Sequence, residues 1–474
     1  MEDEAVTGRN RFYAWLAGIA AVGLGVRVAA VMAWFRHQSL GLGDPYYYYG
    51  QAQALVRGDG FLDPFVLKFT GRHIAAADHP PLYSLYLAVF DKLGLDTLTQ
   101  ARLVTCLVGV GTVVVIGLAA RRMVGDRAGL LAAAVAALFP PLWMADGTLV
   151  AEGLYAFFIA LALYTALRLV DSHTWWWAAA LGAAIGLAAL SRAEGVILVV
   201  LLAWPAAALT RAVPRSRRAA LAALASVTAL LVITPWAVRN LHTFEKPVIL
   251  SDGAGQTMAV GNCDDTYHGE HLGYWDWSCG YKGPPGKDAS VNEVRARKQA
   301  IDYMKAHKGR LPVVVAARIG RLWQVYRVRQ GITLDATLER RGRPAAVLGL
   351  WGSWVAMALA AVGIWARRRD ALSWVLIGSV VVSGTASAAI TFGITRYRVA
   401  ADVGLALFAG IGAAWLLDRL AARRTGIAVD QPGRSARPSQ PAGGGPMRQC
   451  CSGAGAASRS SRRWSARSGG ICER

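Results

Sequence analysis

The chain is 474 residues long, 54% hydrophobic and only 17% charged. A soluble globular protein carries roughly 25% charged residues, so the composition all but excludes a water-soluble enzyme, and the apolar content excludes a disordered chain. A net charge of +21 would suit a nucleic-acid binder. The basic residues instead form short clusters between long apolar runs, the pattern of a polytopic membrane protein with basic cytoplasmic loops. No nucleic-acid partner is expected.

A membrane-spanning helix needs about 20 mostly apolar residues. Ten segments are read as spans, at about 12–35, 101–120, 129–146, 153–170, 175–190, 196–210, 219–239, 346–365, 371–391 and 402–420. Basic clusters punctuate them: Arg9/Arg11, Arg121/Arg122/Arg127, Arg168, Arg211/Arg215/Arg217/Arg218, Arg367/Arg368/Arg369 and Arg419/Arg423/Arg424. With a cytoplasmic N-terminus and ten crossings, every cluster falls on the cytoplasmic side, as loop charge requires. The expectation is an all-α polytopic protein of the cell (plasma) membrane, with both termini inside. Two long polar segments, about 36–100 and 240–345, then lie outside. Residues 1–424 read as the membrane domain. Residues 425–474, rich in Gly, Ser, Pro, Ala and Arg, read as a disordered basic cytoplasmic tail. Residues 421–474 hold ten Arg against one Asp and one Glu, a net +8.

The first outer loop opens with Asp44-Pro45 followed by Tyr46, Tyr47, Tyr48 and Tyr49. Pro45 suits a helix start and Asp44 an N-cap. A run of tyrosines suits a membrane interface, where one end of the ring is apolar and the other wet. Further on come Asp78-His79-Pro80-Pro81-Leu82-Tyr83. After the prolines, Leu82, Leu85, Tyr86, Val89, Phe90 and Leu93 define one helical face, too short to span and expected flat on the outer surface. Two interfacial helices thus each begin beside an acid.

These motifs resemble the membrane-embedded GT-C glycosyltransferases, in the branch of glycosyltransferase family 39, with its protein O-mannosyltransferases, and the lipid A aminoarabinose transferases. In that branch an acid follows the first span, then a Tyr-rich helix, then an acid before a Pro-Pro-Leu-Tyr element. Asp44, Tyr46–Tyr49 and Asp78–Tyr83 stand in those places. Ser191-Arg192-Ala193-Glu194-Gly195, the Cys263–Cys279 loop and Arg396-Tyr397-Arg398 fit the same frame, over roughly residues 10–420. One departure is that Pro45, not a second acid, follows Asp44.

The resemblance implies inverting transfer of a sugar from a polyprenyl-phosphate donor to a glycan, lipid or protein acceptor at the extracytoplasmic face of the bilayer. Such chemistry needs a carboxylate base for the acceptor proton, cations for the leaving phosphate and a second carboxylate near the oxocarbenium-like centre. Asp44 is the expected base and Asp78 the second acid. The same two acids are the candidate ligands of a divalent metal ion. His79, Arg192, Arg396 and Arg398 are the expected donor-phosphate contacts, since Arg engages phosphate in a bidentate way. Arg192 lies between two short spans, and a mutual Arg192–Glu194 pair is the plainer reading of it. Arg27, buried in the first span, should pair with Glu152 or Asp146. Cys263 and Cys279, 16 positions apart in an oxidising compartment, are expected to form a disulfide. The stretch 310–330 reads as a third interfacial helix. The competing function is a polytopic transporter or lipid-linked sugar flippase, for which paired broken helices in repeated halves would be the sign.

Overall fold

The computed structural model describes residues 2–283, 286 and 288–425. The expected tail therefore lies almost wholly outside the described residues, as do Cys450, Cys451 and Cys472. In chain order the helices are α1 (Glu2–Ala30, continued as a π-turn over Val31–Phe35), α2 (Asp44–Arg57), α3 (Pro64–Thr70), α4 (Leu82–Lys92), α5 (Leu98–Met123), α6 (Asp126–Leu138) and α7 (Pro140–Gly147). Then come α8 (Glu152–Ser172), α9 (Trp175–Ser191), α10 (Trp204–Ala208), α11 (Arg215–Thr243), α12 (Ala254–Gly261) and α13 (Asp264–Tyr267). The chain closes through α14 (Ala289–Ala306), α15 (Leu311–Leu322), α16 (Val328–Thr337), α17 (Arg343–Ala366), α18 (Ala371–Ile390) and α19 (Val399–Thr425). An isolated antiparallel bridge joins Leu62 to Ala75.

Among the described residues, seven helices are long and apolar enough to cross a membrane, or up to eight if the bent pair α6–α7 is one span. The pair bends by 48° where Pro140 interrupts it, as proline does by removing a backbone donor and crowding the preceding turn. The segments at 175–190 and 196–210 are the short ones. They form the 17-residue α9 and the irregular run Ala193–Ala208. All ten expected spans are thus helical, and the protein is an all-α, multi-pass membrane protein.

α19 is the axis of the bundle, buried on nearly every side from Ala400 to Ala414. Lipid-facing interfaces gain little from hydrophobic burial, so helices associate through close van der Waals contact at small residues. Gly363 of α17 and Gly412 of α19 do this. A Cβ on Gly363 would sit 2.1 Å from the Phe408 carbonyl, and one on Gly412 2.0 Å from the Leu359 carbonyl. Large apolar side chains such as Trp176, Val355 and Leu231 face outward, as a lipid-exposed surface requires.

Buried charges inside the bundle include long-range pairs. Arg27 Nε donates to Asp146 Oδ2 at 2.8 Å, which decides between its two expected partners. Gly109 makes room for this pair, since a Cβ there would overlap the Asp146 carboxylate. The two long connections, before α5 and between α11 and α17, carry the short helices. Asp63 caps α3 through the Phe65 and Val66 amides, and Thr97 and Gln100 form a capping box at α5. α2, α4 and α15 are short helices on these connections, with Val89 and Val313 exposed, and the helix expected over 310–330 ends at Leu322.

Candidate active site

Asp44 is the first residue of α2, and Gly43, not Asp44, occupies the N-cap. No capping bond from the Asp44 side chain forms, so the expected N-cap role is not seen. Its Oδ2 accepts from Arg396 Nη2, a residue 352 positions away. Its Oδ1 lies 3.5 Å from His79 Nε2. The same His79 nitrogen is 3.4 Å from Asp78 Oδ2. The loop before α4 therefore brings the two expected acids onto one imidazole.

The tyrosine run builds the floor beneath that ring. The Tyr48 ring stacks on His79 at 4.9 Å and Tyr47 meets it edge-on at 4.9 Å. Tyr83 braces Tyr48 at 5.0 Å, and its hydroxyl lies 3.1 Å from Thr105 Oγ1. Of the four tyrosines, Tyr46 and Tyr49 stay partly exposed. Tyr47 and Tyr48 are 2% and 3% exposed, so they pack as core. Four consecutive helical residues point around the helix, so a run of one residue type cannot serve one environment.

Arg396 sits in a 3-10 turn, Thr395–Arg398, at the head of α19. Besides Asp44 it faces Glu152 Oε1 at 3.0 Å from Nε, out of line for a hydrogen bond, and Glu339 Oε2 at 3.4 Å from Nη1. Glu152 also accepts from Arg192 Nη1 at 2.5 Å, and Arg192 Nε donates to Glu194 at 2.5 Å. The Arg192 guanidinium lies 5.1 Å over the Tyr397 ring. Arg192 thus makes the plain Glu194 pair and also joins the ladder Glu194–Arg192–Glu152–Arg396–Asp44. A cavity of about 20 Å³ lies behind Arg396, lined in part by Glu152, Asp335, Arg341 and Thr395. That suffices for about one water.

Arg398, two residues on, goes elsewhere. It is 1% exposed and donates to Asp402 at 2.8 Å, Ser353 Oγ at 2.5 Å, and Leu322 O and Gln324 Oε1 at 3.2 Å. Its donors are spent inside the bundle, which corrects its expected role as a phosphate contact. Cys263 and Cys279 form the expected disulfide. Arg318 ties that loop down by donating to the Gly261 carbonyl and to Asn262 Oδ1. On the same connection Tyr274 stacks on Trp275, which meets Phe392 at a tilt, and Trp277 is exposed.

The electrostatics follow from these contacts. Enclosure works against the Asp44 charge, but Arg396 and His79 outweigh it and hold the carboxyl well below the usual carboxylate range. Enclosure likewise disfavours a charged His79, and Asp44 and Asp78 outweigh it, so its pKa is raised. The packing around Asp78, with the charges of Asp44 and Asp63, raises its carboxyl against the pull of His79.

The groups that could hold a divalent ion here are the Asp44 and Asp78 carboxylates with His79 Nε2 beside both, while Arg396 occupies the other Asp44 oxygen. Among the described residues the one cluster with metal-ligand spacing is Cys263, Asp265 and Cys279, whose sulfurs are already joined. Three acids escaped the sequence reading of the site: Glu152, weighed only as a partner of Arg27, and Glu339 and Asp252. Glu152 had a signal, an acid at the edge of a long apolar run. Asp252 is 6% exposed, and its amide donates to the Ala77 carbonyl beside Asp78. Burial, with the charges of Asp78 and Glu293, pushes its carboxyl up to about 7.

The fold that carries this cluster is that of the GT-C glycosyltransferases. The archaeal oligosaccharyltransferase AglB from Archaeoglobus fulgidus, in complex with an inhibitory peptide and a dolichol-phosphate, superposes with a TM-score of 0.55 at 15% identity. The match covers 89% of this chain and 52% of that one. The same oligosaccharyltransferase tethered to an acceptor peptide containing the NVT sequon matches with a TM-score of 0.54 at 16% identity, over 87% of this chain and 50% of that one. The chain thus spans about half the length of these enzymes. ArnT from Cupriavidus metallidurans, bound to undecaprenyl phosphate, matches with a TM-score of 0.41 at 18% identity over 87% of this chain and 80% of that one. Residues 78–238 match the family model described as dolichyl-phosphate-mannose-protein mannosyltransferase. No curated protein sequence matches the chain.

Proposed function

We propose that this protein is an integral membrane glycosyltransferase that moves a sugar from a polyprenyl-phosphate donor to an acceptor hydroxyl or amine, with inversion, at the extracytoplasmic face of the plasma membrane. Residues 1–424 form its membrane domain, and both termini lie in the cytoplasm. The observation that carries the reading is the meeting of Asp44 with Arg396, across 352 residues, in a partly open site beside Asp78 and His79. The GT-C fold and the mannosyltransferase model over residues 78–238 support it.

In the resting site Arg396 neutralises Asp44, which makes that carboxylate a weak base. The carrier phosphate competes for the same guanidinium. When Arg396 turns its donors to the phosphate, Asp44 loses its cation and gains proton affinity. The acceptor oxygen or nitrogen then attacks the anomeric carbon and its proton passes to Asp44. The bond from that carbon to the phosphate oxygen breaks, and the electron pair leaves with the polyprenyl phosphate. Arg396, with Arg192 held beside it through Glu152, offsets the charge developing there. Asp78 orients the acceptor, and the disulfide-bearing loop shapes which acceptor enters.

Purified full-length protein incubated with a panel of polyprenyl-phosphate sugars and membrane acceptors, read by mass spectrometry, tests this reading. A sugar-sized mass gain on an acceptor, lost in Asp44→Asn, is expected. No transfer from any donor would count against it.

A further inference from the structure

We infer that the turn at residues 339–341 is a positioning element of this site: Arg340 fixes the chain that presents Asp44, and Glu339 restrains Arg396 against the incoming phosphate. The kinetic part rests on the glycosyltransferase reading above; the restraint on the chain does not.

Three consecutive side chains of the turn reach three places around the Asp44–Arg396 pair. Glu339 Oε2 lies 3.4 Å from Arg396 Nη1. Arg340 Nη1 donates to the Ser39 carbonyl at 2.5 Å and to Ser39 Oγ at 3.1 Å. Ser39 is five residues before Asp44. Arg341 Nη1 donates to Thr395 Oγ1 at 3.1 Å, and that oxygen lies 3.0 Å from both carboxylate oxygens of Asp335 on α16. Thr395 directly precedes Arg396. One turn of the second long connection thus grips the chain leading into each member of a pair 352 residues apart.

The backbone explains how neighbouring residues do this. Arg340 is left-handed, with φ 54°, and Gly342 follows at φ 73°. That reversal points consecutive side chains apart. A non-glycine residue seldom takes this conformation, and the contacts around it must hold it there. Gly41, facing it from the first connection, is left-handed too, with φ 66°, and a Cβ there would sit 2.7 Å from Arg340 Cζ. Glycine therefore leaves the space in which the guanidinium lies against residues 39–41.

The two residues have different tasks. Arg396 and Glu339 are 15% and 11% exposed, so their attraction is little screened. A phosphate that binds Arg396 competes with Glu339 as one anion against another. Arg340 bonds only neutral groups of Ser39, so it acts on where Asp44 stands. Glu339 should set donor affinity, and Arg340 turnover.

The test uses the purified full chain in detergent, with undecaprenyl phosphate as probe. Glu339→Gln keeps the shape and removes the charge. It should bind the probe about 5-fold tighter and lower the donor KM as much, whereas loss of a merely structural group would weaken both. In Arg340→Met, amide hydrogen exchange over residues 36–43 should quicken about 10-fold while α17 is unchanged. Turnover should fall about 10-fold at unchanged donor KM, and Arg340→Lys, which still reaches the carbonyl, should restore both readouts. A folded Arg340→Met protein with wild-type exchange over 36–43 would overturn the inference. So would a Glu339→Gln protein that binds the probe no tighter than wild type, and this variant decides the matter even where Arg340→Met does not fold. Absence of transfer from wild type would sink the enzyme reading alone, since exchange and probe binding still judge the turn.

Discussion

Arg396 and Arg398 stand two residues apart on one 3-10 turn, yet they live in different electrostatic regimes. Arg398 is sealed in the bundle with one acid, Asp402, and four hydrogen bonds that use its donors. Arg396 is 15% exposed and shared among Asp44, Glu152 and Glu339. A sealed, fully bonded pair has nothing left to offer a ligand and resists disruption, because an unpartnered buried charge is costly. A shared cation can change partners. A 3-10 turn repeats every three residues, so positions two apart point to different sides. This separates an arginine available for chemistry from one committed to the fold.

The comparison can be broken most sharply at the sealed pair. Arg398→Met leaves Asp402 buried and alone, and the cost should be about 3–5 kcal/mol. Loss of monodisperse protein on size-exclusion chromatography is the expected readout, with partial recovery when Asp402→Leu is added. On the open side, Asp44→Asn should leave the melting temperature within a few degrees of wild type. Transfer should fall by about 1000-fold, toward the upper part of the range for a lost general base. A folded Asp44→Asn protein with wild-type turnover would remove Asp44 from its role. Arg396→Gln should raise the donor KM and lower turnover by about 100-fold, the loss expected of one charge-stabilising donor. An unchanged donor KM would leave Arg396 a structural group like Arg398.

A further prediction concerns Asp252 and pH. Its folded carboxyl titrates at about 7, above the unfolded value of about 3.9. Between those values the folded state binds more protons than the unfolded one, so stability falls as pH rises through that window. Asp252→Asn should therefore raise the melting temperature at pH 8 and leave it nearly unchanged at pH 4. The difference should be of order 4 kcal/mol, about 1.4 kcal/mol for each unit between the two values. Equal shifts at both pH values would show that burial does not perturb this carboxyl.

Much of the architecture was legible because it follows from local rules. Long apolar runs must satisfy their backbone polar groups within the segment once they enter lipid, so they are helices. The disulfide could be read from two cysteines in one loop. Asp44, Asp78 and His79 were legible as scarce polar residues at helix starts. The N-cap role of Asp44 misled because a capping bond is a local preference worth about 1 kcal/mol, which the long-range partner Arg396 overrides. Tyr47 and Tyr48 were misread as interfacial for a similar reason: their neighbours, His79 and Tyr83, lie on another segment.

The sequence by itself determined a helical, multi-pass membrane protein with scarce acids in its first long connection. Hydropathy and charge are summed along the chain, and those sums need no knowledge of contacts. Tertiary structure alone decided which arginine is open and which is sealed, that Arg27 takes Asp146, and that one His79 nitrogen meets both Asp44 and Asp78. Those outcomes depend on which side chains packing brings within a few ångströms across hundreds of residues. At that range burial, charge and competition for donors set the partner.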